Sequence, residues 1–227
     1  MKLSIIIPVF DEEKDLEVSL KRVLSFNHAG WEKEIIVVND GSSDRSLKIA
    51  SRILKGKRFA KVLDFETNRG KGHAVKEGLK VASGEFVLIQ DADLEYHPKD
   101  LPSMLDKAKE FDAVYGSRFL GDIKRMSFTH WFGNKFLSFA TNILFGQRIT
   151  DGQTGYKLIK TKLLKNLTLK TSGFDLDTEI TIELLKRNIK ICEVPISYVA
   201  RTKAEKKVTI ADGVKAFLLL LKRRFSN

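Results

Sequence analysis

Three helix-like segments set between four short apolar runs leave the first half of this chain little choice of architecture. Residues 3–9, 34–38, 61–65 and 85–90 read as buried strands. Residues 11–26, 43–54 and 70–82 read as helices, the first with Leu16, Leu20, Val23 and Leu24 on one face and the second with Ser42 or Ser43 available as its cap. Strands joined through helices lie parallel, because a parallel pair needs a long crossover. The expected fold class is therefore α/β, a mostly parallel, Rossmann-like sheet flanked by helices.

Three of the runs end in polar residues: Pro8-Val9-Phe10-Asp11-Glu12, Asn39-Asp40-Gly41 and Gln90-Asp91-Ala92-Asp93. Such residues also favour plain turns, so a single cluster decides nothing. Three of them at the carboxyl edge of one parallel sheet, where open sheets bind ligands, form a coherent site. The second half is less regular. Residues 113–117 and 189–194 read as strands, 175–186 as a helix, and 212–225 as a closing amphipathic helix with Lys222-Arg223-Arg224 near its end.

With 43% hydrophobic residues the chain can bury a core, and its formal charge of +11 favours an anionic partner: nucleic acid, a phosphorylated small molecule or an anionic membrane face. The lone cysteine, Cys192, excludes an internal disulfide and reads as a packing residue in its apolar stretch. No run approaches the ~18 apolar residues of a membrane span. The N-terminal run is too short for a signal peptide, so the expected location is the cytoplasm.

Asp91-Ala92-Asp93 is the most specific local feature. On an ideal strand its carboxylates face opposite sides. In the turn after Phe86-Val87-Leu88-Ile89-Gln90, however, both can approach one hard divalent ion, magnesium or manganese. Such an ion would bridge the phosphates of a nucleotide diphosphate and neutralise a departing group.

These segments, together with Asn68-Arg69-Gly70-Lys71-Gly72, form an ordered series that resembles the family 2 glycosyltransferases of GT-A fold. The polyprenyl- and dolichyl-phosphate sugar synthases are the most similar branch. Gly116-Ser117-Arg118, Asp151-Gly152-Gln153-Thr154-Gly155-Tyr156-Lys157-Leu158 and Glu193-Val194-Pro195-Ile196 extend the resemblance over nearly the whole chain. It implies a nucleotide-diphosphate sugar as donor, GDP-mannose or UDP-glucose, and a polyprenyl or dolichyl phosphate as acceptor. It also implies that Pro8, Phe10 and Glu12 line the nucleoside pocket and that Asp40 accepts a hydrogen bond from the base. Lys71, Asp91, Ala92 and Asp93 would organise diphosphate and metal, Arg118 would meet phosphate at the reacting centre, and Arg201 and Lys207 would close over the donor from a mobile segment. Residues 1–118 would then be the nucleotide-sugar-binding half, and residues 119–227 the acceptor-binding half, of a single domain. Without the resemblance, Glu12 also reads as a helix cap, Lys71 as a loop charge and 201–207 as a charged surface loop.

Inverting transfer to an alcohol needs a general base, whereas a lipid phosphate, with a second pKa of about 6, arrives largely as a dianion. Clustered Arg118, Lys124 and Arg125 would suit that acceptor phosphate. Asp151 and Asp177 are candidate bases or positioning groups, Asp151 ahead because it opens the family-like 151–158 segment. Phe128, Trp131, Phe132, Phe136 and Phe139 recur at helical spacing and, with the basic closing helix, suit a membrane interface; the alternative is that both simply pack on the domain. Relatives with C-terminal membrane helices exist, and the sequence runs to Asn227 without one, so the expected form is peripheral. Two other readings are a same-fold transferase acting on a soluble glycan or protein, and a nucleic-acid-binding domain. Scattered basic residues and an acid-crowned sheet argue against nucleic acid.

Overall fold

The computed structural model describes residues 1–202 and 209–225. Strands β1 (Lys2–Val9), β2 (Glu32–Asp40), β3 (Ala60–Phe65) and β4 (Phe86–Ile89) alternate with helices α1 (Leu16–Ser25), α2 (Ser46–Leu54) and α3 (Lys71–Val81). There follow α4 (Leu101–Lys107), β5 (Ala113–Ser117), the short β6 (Ile123–Lys124) and α5 (Phe128–Phe145). The chain continues through β7 (Lys157–Lys160), α6 (Thr161–Lys165), α7 (Leu176–Lys186), β8 (Ile191–Pro195), β9 (Tyr198–Val199) and α8 (Ile210–Phe225).

The main sheet has the order β3-β2-β1-β4-β7-β5-β8, parallel except where β7 runs antiparallel to both β4 and β5. Strand order reverses at β1, with β2 and β3 on one side and β4 on the other. That reversal opens a crevice beyond the carboxyl ends of β1 and β4, which are followed by Phe10 and by Gln90-Asp91. Because β7 runs the other way, its first residue, Lys157, pairs with Ile89 at that same edge. The residues before β7 are thereby delivered to the crevice.

Successive side chains of the central strands feed opposite cores, as a pleated strand demands. Leu3, Ile5, Ile7 and Val9 of β1 pack with α1, α2 and α4, whereas Ile6 packs with α3 and α7. Both faces of the strands are covered, which is why they read as unbroken apolar runs. A third, smaller core joins Leu137 of α5, Ile182 of α7 and Ala216 and Leu220 of α8.

The first two helices begin later than their sequence pattern suggests. Asp11 adopts φ 48°, a conformation Asp tolerates better than most residues, and turns the chain toward the loop after β2. Its Oδ1 accepts from the Ser43 and Asp44 amides at 2.8 and 3.3 Å, while Ser42 Oγ accepts from the Asp11 amide at 3.1 Å. Ser42 and Ser43 therefore do not cap α2. Asp44 Oδ1 receives the Ser46 amide at 2.8 Å instead. The result is a cross-link between the first two strand-to-helix loops, which holds this edge of the sheet in one shape.

At the opposite edge of the sheet, buried Glu34 gathers β1, β2, β3 and the turn before β4. It accepts from Ser4 Oγ at 2.7 Å, the Ser83 amide at 2.9 Å, Ser83 Oγ at 3.0 Å and Lys61 Nζ at 3.2 Å. Burial alone would raise its pKa; these donors overcome burial and hold it down at about 2. A depressed carboxyl contributes stability that is complete above its ordinary range near 4.5 and lost as pH falls toward 2. Glu34→Gln should therefore lower the unfolding free energy at neutral pH by about 1–3 kcal/mol. In urea melts the gap to wild type should narrow as the buffer is acidified through that window.

Candidate active site

The crevice is a cleft of about 1010 Å³. Pro8, Phe10, Glu12, Asp40, Lys71, Asp91, Ala92, Asp93, Arg118 and Arg201 all line it. They come from the ends of β1, β2, β4 and β5, the start of α3 and the segment after β9. Lys207 lies outside the described residues. The opposite wall is α5 and α8, which contribute Phe136, Leu137, Val214 and Phe217.

The two carboxylates of Asp91-Ala92-Asp93 have different neighbours. Asp91 Oδ1 lies 2.8 Å from Lys71 Nζ, and the same ammonium lies 3.1 Å from Asp177 Oδ2. Burial acts to lower the Lys71 pKa, but Asp177 and Asp91 overcome it and hold the ammonium above the usual lysine range. On the other side of the pair, Asp93 faces Arg201, whose Nε is 3.6 Å from Asp93 Oδ2. Arg201 is clamped by both oxygens of Glu12, by Asp15 at 3.0 Å and, through its own amide, by Glu95 Oε1 at 2.8 Å. Its buried Nε makes no hydrogen bond among the described residues. Asp93 is pushed well above the ordinary carboxylate range, first by burial and then by the nearby charges of Asp91 and Glu95. Negative charge exceeds what the two cations settle at this point.

Several expected roles change in the folded structure. Asp151 is fully buried and does not line the cleft. Its carboxylate receives the Arg118 Nε at 2.7 Å, Arg118 Nη2 at 2.8 Å and the Arg118 amide at 3.0 Å. Asp151 is therefore poorly placed as a general base, because its lone pairs are committed to a buried guanidinium. Arg118, in turn, does not stand in a basic cluster: Lys124 and Arg125 are exposed, and Lys124 pairs with Asp122 at 3.5 Å. Arg125 is not among the lining residues, so the structure does not place it at an acceptor phosphate. Asp40 is also more occupied than expected. It accepts the Arg69 and Gly70 amides at 3.0 and 2.7 Å and faces His73 Nδ1 at 3.2 Å, holding the loop before α3.

Residues 4–168 match the sequence profile of Glycosyl transferase family 2. The chain belongs to that family. It is a glycosyltransferase, as the order of its motifs implied. A dolichol-phosphate mannosyltransferase of Pyrococcus furiosus is 30% identical over 98% of this chain, which spans 64% of that protein's length. An uncharacterised protein of Methanocaldococcus jannaschii is 30% identical over 86% of this chain and 80% of its own. Among solved structures, mannosyl-3-phosphoglycerate synthase from Rubrobacter xylanophilus superposes with a TM-score of 0.78 at 18% identity, covering 99% of this chain and 74% of that one. Glucosyl-3-phosphoglycerate synthase from Mycobacterium tuberculosis, solved with Mn²⁺, UDP-glucose and phosphoglyceric acid, gives a TM-score of 0.74 at 19% identity, covering 98% of this chain and 79% of that one. At those identities the structural likeness establishes the GT-A fold.

Within this glycosyltransferase, residues that carried no individual sign in the sequence complete the cleft. Gly155 leaves room for the Asp91 carboxylate: a Cβ there would come within 2.6 Å of Asp91 Oδ2 and displace it. Its amide donates to Tyr96 Oη at 3.1 Å, and Tyr96 stacks on Tyr156 with ring centroids 5.2 Å apart. The 151–158 motif pointed to this loop, but not to a backbone surface on which Asp91 rests. The Arg118–Asp151 pair predicts that Asp151→Asn loses about 3–5 kcal/mol of unfolding free energy, the cost of stranding a buried charge. Thermal melts would show this. An Asp151→Asn protein as stable as wild type but inactive would instead return Asp151 to a chemical role.

Proposed function

We propose that this glycosyltransferase moves a hexose, mannose or glucose, from a GDP- or UDP-sugar to a polyprenyl phosphate at a membrane surface, with inversion at the sugar carbon. The observation that carries this reading is the two-sided character of the cleft. Its sheet wall is charged, and its α5–α8 wall sets Phe136, Leu137, Val214, Ala216 and Phe217 beside polar Thr129, His130, Asn134 and Asp212. Phe136 and Val214 belong both to the cleft and to the exposed surface, 45% and 54% exposed. A lipid acceptor meets both requirements, placing its phosphate among cations and its chain along the apolar side chains of the α5–α8 wall.

In this reading residues 1–118 bind the donor. Pro8, Phe10 and Glu12 flank the nucleoside, and Asp40 holds the loop carrying Lys71 beside it. Asp91 and Asp93 suit a divalent cation, since Asp93 is buried in surplus negative charge that such an ion would settle. No cluster of three or more His, Cys, Asp or Glu side chains converges as metal ligands among the described residues. The two aspartates would therefore share the ion with diphosphate and water oxygens. Bound there, Mg²⁺ or Mn²⁺ supplies charge neutralisation to the departing diphosphate. The chain's own cations do the rest: Lys71 and Arg201 flank the aspartates, and Arg118, oriented by Asp151, offers a preset guanidinium to the cleft. Both candidate bases are tied to cations, Asp151 to Arg118 and Asp177 to Lys71 and Lys157. An acceptor that arrives as an anion suits a site built this way.

Residues 119–227 supply the acceptor side. Phe128, Phe132, Phe139 and Ile143 of α5 and Leu218 and Phe225 of α8 are 57–79% exposed, an apolar face bordered by exposed Lys215, Lys222 and Arg224. That pairing of apolar and basic residues matches an anionic membrane surface. No described helix is long and apolar enough to cross a membrane. A second reading is transfer to a small phosphorylated acid, favoured by the phosphoglycerate synthases of like fold.

The deciding assay offers GDP-mannose or UDP-glucose with Mn²⁺ and either a short polyprenyl phosphate in vesicles or 3-phosphoglycerate. A lipid-extractable product supports the first reading; a water-soluble product alone supports the second. Asp93→Asn should reduce turnover by about 10²-fold or more while leaving the melting curve unchanged. Near-normal turnover would refute the assignment of a metal to this pair. For the membrane face, Phe132→Ser combined with Phe139→Ser should weaken co-sedimentation with anionic vesicles about tenfold or more, given about 1.5–3 kcal/mol per buried aromatic. Unchanged sedimentation would locate docking elsewhere.

A further inference from the structure

Behind Asp91 lies a ladder of alternating charge whose third member, Asp177, stands outside the family motifs. Lys71 Nζ is shared between Asp91 Oδ1 at 2.8 Å and Asp177 Oδ2 at 3.1 Å, and Asp177 Oδ1 lies 3.5 Å from Lys157 Nζ. Side-chain exposure falls inward along it, from 22% at Asp91 to 9% at Lys71, 10% at Asp177 and 0% at Lys157. Lys157 is anchored by donating to the Thr154 carbonyl, and its ammonium lies over the Tyr115 ring at 4.6 Å. Asp177 sits in the first turn of α7, where the helix dipole favours a carboxylate. Asp91, Lys71 and Asp177 line the cleft, and Lys157 closes the ladder from within the protein.

We propose that Asp177 is the positioning residue that retains Lys71 in the cleft when Asp91 turns to its divalent ion, a role that rests on the glycosyl-transfer reading above. A divalent ion on Asp91 draws on the same carboxylate charge that holds the ammonium, so metal binding weakens the hold of Asp91 on Lys71. With Asp177 in place, Lys71 keeps a partner 3.1 Å away and stays where it is. Lys71, Asp177 and Lys157 then sum to one positive charge, presented by Lys71 toward the cleft that receives the diphosphate. Without Asp177, Lys71 has Asp91 alone as its partner and competes with the metal for it. Lys157 completes the device by holding Asp177 from behind, so that Asp177 does not follow Lys71 outward. Asp177 touches no reacting atom in this scheme. It acts through Lys71.

The test measures binding rather than turnover alone. Calorimetry of Mn²⁺ with UDP and with GDP on D177N, K71Q and the double variant should show D177N weakening metal–nucleotide binding by about 10–100-fold, the usual cost of losing an outer-shell partner. Donor KM should rise more than kcat falls. D177E should recover much of the loss, and the double variant should be no weaker than K71Q alone, because the two residues act in series. Wild-type affinity in D177N, or losses that add in the double variant, would overturn the proposal. A crystal structure of the wild-type protein with Mn²⁺ and nucleotide decides the matter even where D177N does not fold. Lys71 should remain within hydrogen-bond reach of Asp177; Lys71 gone from Asp177 would overturn the idea. If wild type binds neither Mn²⁺ nor nucleotide, and D93N behaves as wild type, the glycosyl-transfer reading fails first and takes the ladder's role with it. That pattern differs from a failure confined to Asp177.

Discussion

The cleft depends on keeping a concentration of carboxylates charged at one edge of a parallel sheet. Glu12, Asp15, Asp91, Asp93 and Glu95 meet there because β1 and β4 run the same way and end on the same side, and Asp177 joins them from the first turn of α7. Like charges so close raise one another's pKa, as Asp93 shows. The protein answers with buried cations brought from elsewhere: Lys71 from the start of α3, Lys157 from β7 and Arg201 from the segment after β9. Each is held by carboxylates on more than one side or, for Lys157, by a carboxylate and a carbonyl. The site is thus preorganised electrostatically before any ligand arrives, and a cation seeking Asp91 or Asp93 competes with the partners already there.

The same logic separates two kinds of charged residue in the cleft. Arg118 and Asp151 form a closed pair, with three donor contacts to one carboxylate and no oxygen turned to the cavity. Such a pair orients a guanidinium and resists rearrangement. Asp91 and Asp93 form open pairs, each bound to a cation that has another carboxylate to return to. Open pairs can yield to a metal ion at modest cost, because the displaced cation is not left alone. The open pairs leave room for exchange, and the closed one holds its shape.

Much of this was legible in the chain before folding. The alternation of apolar runs and helical patterns carried the parallel half of the sheet, since burial on both faces leaves unbroken apolar strands. The strand-end clusters carried the acidic edge of the cleft. Strand β7 was not legible: Lys157-Leu158-Ile159-Lys160 is four residues long, and its first lysine is buried against a carboxylate and carbonyls rather than exposed. The late start of α1 was also hidden, because the bonds that unwind Asp11–Asp15 come from Ser42, Ser43 and Asp44, some thirty residues away. Asp151 and Asp177 both read as spare carboxylates, Asp151 ahead only by its motif, and nothing local showed that Asp151 would be buried against Arg118.

What the sequence by itself determined is the α/β class, the family and the position of Asp91 and Asp93 at the end of a buried strand. Those properties follow from local periodicity and from motifs whose members are close in the chain. What only the tertiary structure decided is which charge each of these residues faces. Lys71 meets Asp177 across 106 positions and Arg201 meets Glu12 across 189. Pairings at that separation are set by strand order and by an antiparallel β7 that returns residues 151–157 to the site. Electrostatic role is a property of neighbours in space, and those neighbours exist only once the sheet has closed.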